Sequence, residues 1–180
     1  MCGGTGSPPF LPKWVSSGYR RYVVVHVRNH TARNLKTNLA YGLQLNISDN
    51  RIKVLPDFIA ELPNLEELYL EGNQLENIPA SMGTMEKLLR LNVSRNAIRK
   101  IPDTLVGLQG LLALKVSQNL IRELPDTVGN LISLRVPDCS GNSLKALPSS
   151  VWDIPGLRML KAAHNDIEEL EQACQACMRR

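Results

Sequence analysis

The sequence predicts an α/β solenoid, in which short parallel strands alternate with loose or 3-10 helical returns along a right-handed arc. Asparagines recur at a constant interval of 23 residues, at Asn50, Asn73, Asn96, Asn119, Asn142 and Asn165. Of the 180 residues, 43% are hydrophobic but only 4% are aromatic, so the core must be built from aliphatic side chains. Such repeats bury a core only by stacking, and the six copies predict a concave parallel sheet of six strands.

Aliphatic residues and a proline keep fixed distances from each asparagine. Five residues after each asparagine stands a leucine or isoleucine: Leu55, Ile78, Ile101, Leu124, Leu147 and Leu170. A proline follows it in the first five copies: Pro56, Pro79, Pro102, Pro125 and Pro148. Before each asparagine, alternation such as Leu68-Tyr69-Leu70 predicts strands near residues 45–47, 68–70, 91–93, 114–116, 137–139 and 160–162.

The segment from Leu65 to Leu75 fits every fixed position of the pattern L-x-x-L-x-L-x-x-N-x-L, so residues 42–180 resemble leucine-rich repeats. The 23-residue length and the Leu-Pro or Ile-Pro pair are similar to the Ras-group intracellular subfamily. This resemblance implies a protein-binding scaffold or adaptor in signalling complexes that contain small GTPases or phosphatases. It also implies that the partner docks on the concave face.

The residue types that recur from repeat to repeat have physical reasons within this fold. An asparagine side chain donates to and accepts from backbone groups, so it satisfies turn groups that would otherwise lie unpaired in the core. Proline fixes φ where the chain turns back and needs no donor there, so the convex returns should be short or 3-10 helical.

The fifth and sixth repeats depart from the pattern. Pro137 stands where a core leucine is expected and removes a ladder donor, and Cys139 replaces the next aliphatic residue as a small hydrophobe. We expect a local weak point there. The sixth repeat has Glu171 in place of proline and no recognisable polar cap before Arg180, so either its last turn frays or the chain is a fragment.

The first 41 residues carry six basic side chains and no acidic one. We expect residues 1–21 to be a mostly disordered leader and 22–41 a degenerate cap, with Tyr22 to Val27 as a candidate capping strand. A solvated leader is favoured over contact with nucleic acid or acidic membrane. Its composition also fits a mitochondrial import signal, which its prolines disfavour. The sequence has neither a membrane-length apolar run nor a signal-peptide core, which predicts a cytoplasmic protein.

No catalytic motif is present, so the sequence predicts neither an enzyme nor a small-molecule substrate, cofactor or metal. Cys174 and Cys177 form a lone C-x-x-C pair at positions that the repeat assigns to the core, which favours packing over zinc or redox chemistry. Cys2 is a candidate for acylation because it precedes a basic segment. N-myristoylation does not support this, since position 2 is a cysteine and not the glycine that it requires.

The candidate binding residues are outward strand positions, which line the concave face. Ala113, Val136 and Met159 form an apolar strip flanked by Lys115, Asp138 and Lys161, and an apolar centre with a charged rim is typical of a binding patch. The predicted site also includes three residues of earlier strands: Tyr69, Arg90 and Asn92. Two alternatives remain, a recognition segment of a larger kinase, cyclase or ubiquitin ligase, and nucleic-acid binding through the leader.

Overall fold

The computed structural model describes residues 22–24, 44–62 and 64–168, and all structural statements below concern these residues. The predicted leader at 1–21, the remainder of the predicted cap, and the predictions for Cys2, Cys174 and Cys177 lie outside them. None of the helices in the described ranges is long and apolar enough to cross a membrane.

Stacked turns of chain form one parallel sheet along the concave side. Its strands follow chain order: β1 (Tyr22–Val24), β2 (Gln44–Asn46), β3 (Glu67–Tyr69), β4 (Arg90–Asn92) and β5 (Ala113–Lys115). From β2 to β5 the register advances by one 23-residue repeat per strand, which places Leu45, Leu68, Leu91 and Leu114 side by side. These strands begin one residue before the predicted bounds. β1 pairs in parallel with β2.

The prediction of six repeat strands is wrong in number, although the parallel solenoid is confirmed. The predicted strands at 137–139 and 160–162 are reduced to isolated bridges that join Lys115 to Asp138 and Asp138 to Lys161. Pro137 occupies the register position of Leu114 and has no amide hydrogen to donate. Its carbonyl still accepts from the N–H of Lys161 at 3.0 Å, so the ladder continues with fewer bonds.

The convex side consists of one short 3-10 helix per turn, as predicted. The helices span Asp57–Glu61, Ala80–Thr84, Asp103–Gly107, Asp126–Asn130 and Ser149–Asp153, and each follows directly after a repeat proline. The proline carbonyl accepts the first helical N–H, as from Leu105 to Pro102 at 3.0 Å. The central residue of each helix is buried and anchors the return to the sheet.

The core is an aliphatic ladder between the sheet and the convex helices. Leu68, Leu88 and Ile98 are each 0% exposed. Cys139 is 2% exposed, and its thiol donates to the carbonyl of Lys161 at 3.2 Å. Burial, aided by the charge of Asp138, raises the pKa of this thiol to about 11. Cys139 therefore packs as a small neutral hydrophobe, as predicted.

The ladder asparagines bond backbone groups of the turn as the sequence predicts, and they also join successive turns. Asn73 Nδ2 donates to the carbonyls of Leu70 in its own turn and Ile47 in the preceding one, both at 3.0 Å. Its Oδ1 accepts the N–H of Ile52 at 3.0 Å. The same bonds recur at later repeats: Asn96, Asn119, Asn142 and Asn165. Each amide therefore satisfies backbone groups of two neighbouring turns.

The candidate binding face

The strands of the sheet present their outer residues on the concave side. In β2, β3 and β5 the central leucine is buried and the two residues beside it are at least partly exposed. The repeat therefore lays out one column of side chains that begins at Gln44 and a second that begins at Asn46. Five of the nine predicted binding residues lie on β3 to β5. The other four continue the same columns in the next two turns, at Val136, Asp138, Met159 and Lys161, and Asp138 and Lys161 are bridge partners.

The first part of this face is a paired network of charges. Tyr69 donates its hydroxyl to Glu67 Oε2 at 3.0 Å, and Arg90 forms an ion pair with the other oxygen of Glu67. Glu67 thus brings together two residues that the sequence predicts to bind a partner. The Glu67 side chain is 12% exposed and that of Arg90 is 46% exposed, so the guanidinium remains accessible from the concave side.

A second network lies along the adjoining turns. Arg95 donates to Glu71 Oε1 at 3.0 Å and to Asp49 Oδ1 at 2.9 Å, so one side chain spans three turns of the solenoid. The hydrogen bond to Glu71, with the charges of Asp49 and Glu71, raises the pKa of Arg95. This arrangement needs glycine at position 72, which has φ +67° and where a Cβ would stand 2.3 Å from Asp49 Oδ1.

Asn92 is a buried residue of this face that bonds the side chain of Glu71 and the backbone of Ser94. It is 7% exposed, its Nδ2 donates to Glu71 Oε2 at 3.0 Å, and its Oδ1 accepts the N–H of Ser94 at 3.1 Å. Asp138 uses its carboxylate in the same way, accepting the N–H of Ser140 at 3.1 Å. Both of these predicted binding residues therefore also hold the local turn.

The second part of the face is apolar with exposed charges. Met159 is 53% exposed, whereas Ala113 and Val136 are half-buried in the same column. Lys115 and Lys161 are exposed on either side of the half-buried Asp138. The strip predicted from the sequence is thus present as a surface, with Met159 as its most accessible apolar side chain.

Sequence reasoning missed two arginines at the entrance to this strip. Arg135 and Arg158 are exposed and adjacent, since the N–H of Arg158 donates to the carbonyl of Arg135 at 2.9 Å. They occupy the position immediately before the Val136 column, where Leu89 and Leu112 stand in earlier turns. Counting that column along the repeat would have revealed the change from leucine to arginine.

Among the described residues, no group of three or more His, Cys, Asp and Glu side chains is placed to hold a metal ion. A small apolar cavity of about 20 Å³ lies inside the fifth turn, lined by residues that include Leu114, Pro137 and Cys139. It is at most large enough for a single water.

Two family models match the chain. The model for leucine rich repeat matches residues 63–121, and the model for two copies of leucine rich repeats matches residues 44–81. No curated protein matches the chain in sequence.

Solved structures with this architecture include a leucine-rich repeat protein from Leptospira interrogans, with a TM-score of 0.76 and 30% identity over 81% of this chain and 38% of that one. An internalin, InlF, from Listeria monocytogenes has a TM-score of 0.74 and 17% identity over 86% of this chain and 45% of its own. The plant peptide hormone receptor RGFR1 in complex with RGF2 has a TM-score of 0.65 and 28% identity over 73% of this chain and 22% of the receptor.

The chain is a leucine-rich repeat protein. It spans less than half the length of each of these three solved proteins. Leucine-rich repeat domains are generally protein-interaction modules and are typically not enzymes, which agrees with the exposed face described above.

Proposed function

We propose that this protein is a cytoplasmic scaffold or adaptor that holds a partner protein on its concave face within intracellular signalling complexes. The observation that carries the proposal is the apolar strip of Ala113, Val136 and Met159, in which Met159 is 53% exposed. Burying a Val or Met side chain contributes on the order of 1.5–3 kcal/mol, whereas an exposed ion pair contributes about 1 kcal/mol or less. The partner's apolar anchor therefore sits over this strip, and Tyr69 and Arg90 contact its flank.

Two further points support the proposal. One structural neighbour is a peptide hormone receptor solved in complex with RGF2, which favours a polypeptide ligand here as well. The 23-residue repeat with its Leu-Pro or Ile-Pro pair resembles the Ras-group intracellular subfamily, which favours a component of a small-GTPase pathway or a phosphatase as the partner. If these repeats are the recognition segment of a larger enzyme, the same face carries the binding.

Affinity capture with paired variants tests this proposal. The full chain, immobilised, should retain a defined set of proteins from native lysate, and Val136→Asp with Met159→Asp should lose that set. The matched control replaces two exposed apolar residues outside the strip, Val54→Asp with Ile132→Asp, which are 77% and 56% exposed. The control should retain the set, because its substitutions add the same charge elsewhere.

Thermal melting of both double variants accompanies the capture. Their transitions should stay close to that of the wild type, since Met159, Val54 and Ile132 are exposed and Val136 lies outside the core, only half-buried. Retention of every captured protein by the strip variant would show that the strip is not the binding surface. Collapse of its melting transition would show that Val136 and Met159 belong to the core.

A further inference from the structure

Charges in the first part of the concave face are already compensated within the molecule. Glu67 pairs with Arg90, and Arg95 pairs with both Asp49 and Glu71. A partner that approached this part would have to compete with existing ion pairs. The first part therefore offers little net charge to a ligand.

The second part carries basic charge that is not compensated. Four exposed basic side chains adjoin the apolar strip in the chain. Lys115 and Lys161 stand two residues after Ala113 and Met159, and Arg135 and Arg158 directly precede Val136 and Met159. None of them forms an ion pair with another residue in the described ranges. One acidic side chain stands in the same columns of these described turns: Asp138, which lies between Lys115 and Lys161 in register and accepts the N–H of Ser140. Four cations and one anion leave a net charge of about +3 on this small surface.

We infer that the segment bound here is a short acidic stretch of polypeptide, in which aspartates or glutamates flank one or two aliphatic or aromatic side chains. This inference rests on the proposed function and specifies its ligand. The apolar side chains would cover Met159 and Val136, and the carboxylates would reach the surrounding basic groups. With strands about 4.8 Å apart, the three turns from Lys115 to Lys161 span roughly 10 Å, a width that suits a single linear segment.

The composition of the strip favours an acidic peptide over nucleic acid. Single strands are held by aromatic side chains on which bases stack, and the side chains that line this strip are Ala, Val and Met. Apolar side chains at the centre of a basic surface instead match the anchor of a peptide, which they desolvate. The charges around the centre would mainly set the association rate and its salt dependence.

Selection from random linear peptides displayed on phage, with the full chain as bait, tests the inference. We expect the enriched peptides to combine Asp or Glu with Leu, Ile, Val, Met or Phe. A synthetic peptide of the enriched sequence should bind about tenfold more weakly to Lys115→Glu with Lys161→Glu. Its affinity should also fall when the ionic strength rises from about 0.01 M to about 0.15 M, because the Debye length shortens from about 30 Å to about 8 Å.

The matched control reverses the same amount of charge away from the strip, with Lys53→Glu and Arg99→Glu, both exposed in the wild type. It should bind the peptide as the wild type does. Enrichment of neutral or basic peptides, failure to enrich any peptide, equal loss in both charge variants, or tighter binding of a single-stranded oligonucleotide than of the peptide would overturn the inference. The proposed function would survive those results if Val136→Asp with Met159→Asp still abolished protein capture.

Discussion

At the scale of single residues, the ladder asparagines join neighbouring turns through hydrogen bonds from one side chain to the backbone of both turns. From Asn73 to Asn165, each of them bonds backbone groups of its own turn and of the preceding one, as Asn96 does with Val93 and Leu70 at 3.0 Å. These groups lie in or beside the core, where water reaches them poorly. A mutation at this position therefore leaves several polar groups unpaired at once.

Asn96→Ala should destabilise the protein by roughly 1–3 kcal/mol, because the variant leaves buried donors and acceptors without partners. Asn165→Ala should cost less, because Asn165 lies in a turn whose strand is reduced to a bridge and whose residues are largely exposed. Chemical denaturation of both variants measures the difference. Equal losses at the two positions would contradict this account of the ladder.

The buried thiol gives a prediction about pH. The pKa of Cys139 is raised from 9.0 to about 11, so the folded state favours the neutral thiol. Stability from this group is fully present below pH 9 and is lost as the pH rises from 9 towards 11. Within this range the thiol ionises mainly in the unfolded chain. Cys139→Val, with the residue type found at Val93 and Val116, should remove this loss.

Denaturation of wild type and Cys139→Val at pH 8 and at pH 10.5 tests the prediction. Between pH 8 and pH 10.5, the stability of the variant relative to wild type should increase by on the order of 1–3 kcal/mol. The basis is about 1.4 kcal/mol for each unit by which the pKa of the thiol differs between the folded and unfolded chain. Other titrating groups contribute to both proteins and cancel in the difference. A constant difference would mean that the Cys139 thiol ionises as readily in the folded protein as in the unfolded chain.

At the scale of elements, the fifth turn is where local chemistry overrides the repeat. Strands β2 to β5 carry leucine at the central position, whereas this turn carries Pro137 and has only a bridge. A cavity lies beside the proline. One missing donor and one short side chain thus weaken a strand that is otherwise in register.

Pro137→Leu should extend the ladder and stabilise the protein by about 1 kcal/mol. The gain combines a new backbone hydrogen bond with apolar burial, and loss of proline's constraint on the unfolded chain offsets part of it. The converse substitution, Leu91→Pro in β4, should cost roughly 3 kcal/mol or more. Denaturant midpoints measure both, and a loss of stability in Pro137→Leu would show that the turn is built around its proline.

Much of the architecture could be predicted from spacing alone. The interval between asparagines fixes the register, and the repeat prolines fix where each 3-10 helix begins, because both effects act within one turn. The sequence could not predict that the strands at Asp138 and Lys161 shorten to isolated bridges, since the hydrogen bonds between turns depend on their exact geometry. The ion pair between Arg95 and Asp49 could not be predicted from the sequence either, because it crosses the intervening turn at Gly72.

The candidate site was predicted less completely than the fold. Column counting located the strip from Ala113 to Met159, and the structure places Met159 at the surface. The repeat pattern did not indicate that Tyr69 and Arg90 both bond the carboxylate of Glu67. Side-chain pairing among long charged residues depends on rotamers and exposure, which a repeat pattern does not encode.

At the scale of the whole molecule, the concave face is divided along its length. Paired charges occupy the turns from Asp49 to Arg95, and an apolar strip with unpaired basic groups occupies the turns from Ala113 to Lys161. The convex side presents a short 3-10 helix in each of the five returns described between Asp57 and Asp153. This division gives the solenoid one surface suited to an apolar anchor, and it predicts where a bound partner excludes solvent.

Hydroxyl-radical footprinting of the full chain, with and without a captured partner protein, measures whether the partner covers the concave face. Met159 is 53% exposed and should be oxidised readily in the free protein, whereas Met82 and Met85 are 0% and 4% exposed and provide protected references. We predict that the partner shields Met159 and Val136 and leaves Val54 and Ile132 as reactive as before. Shielding of Val54 or Ile132 with unchanged oxidation of Met159 would contradict binding on the concave face.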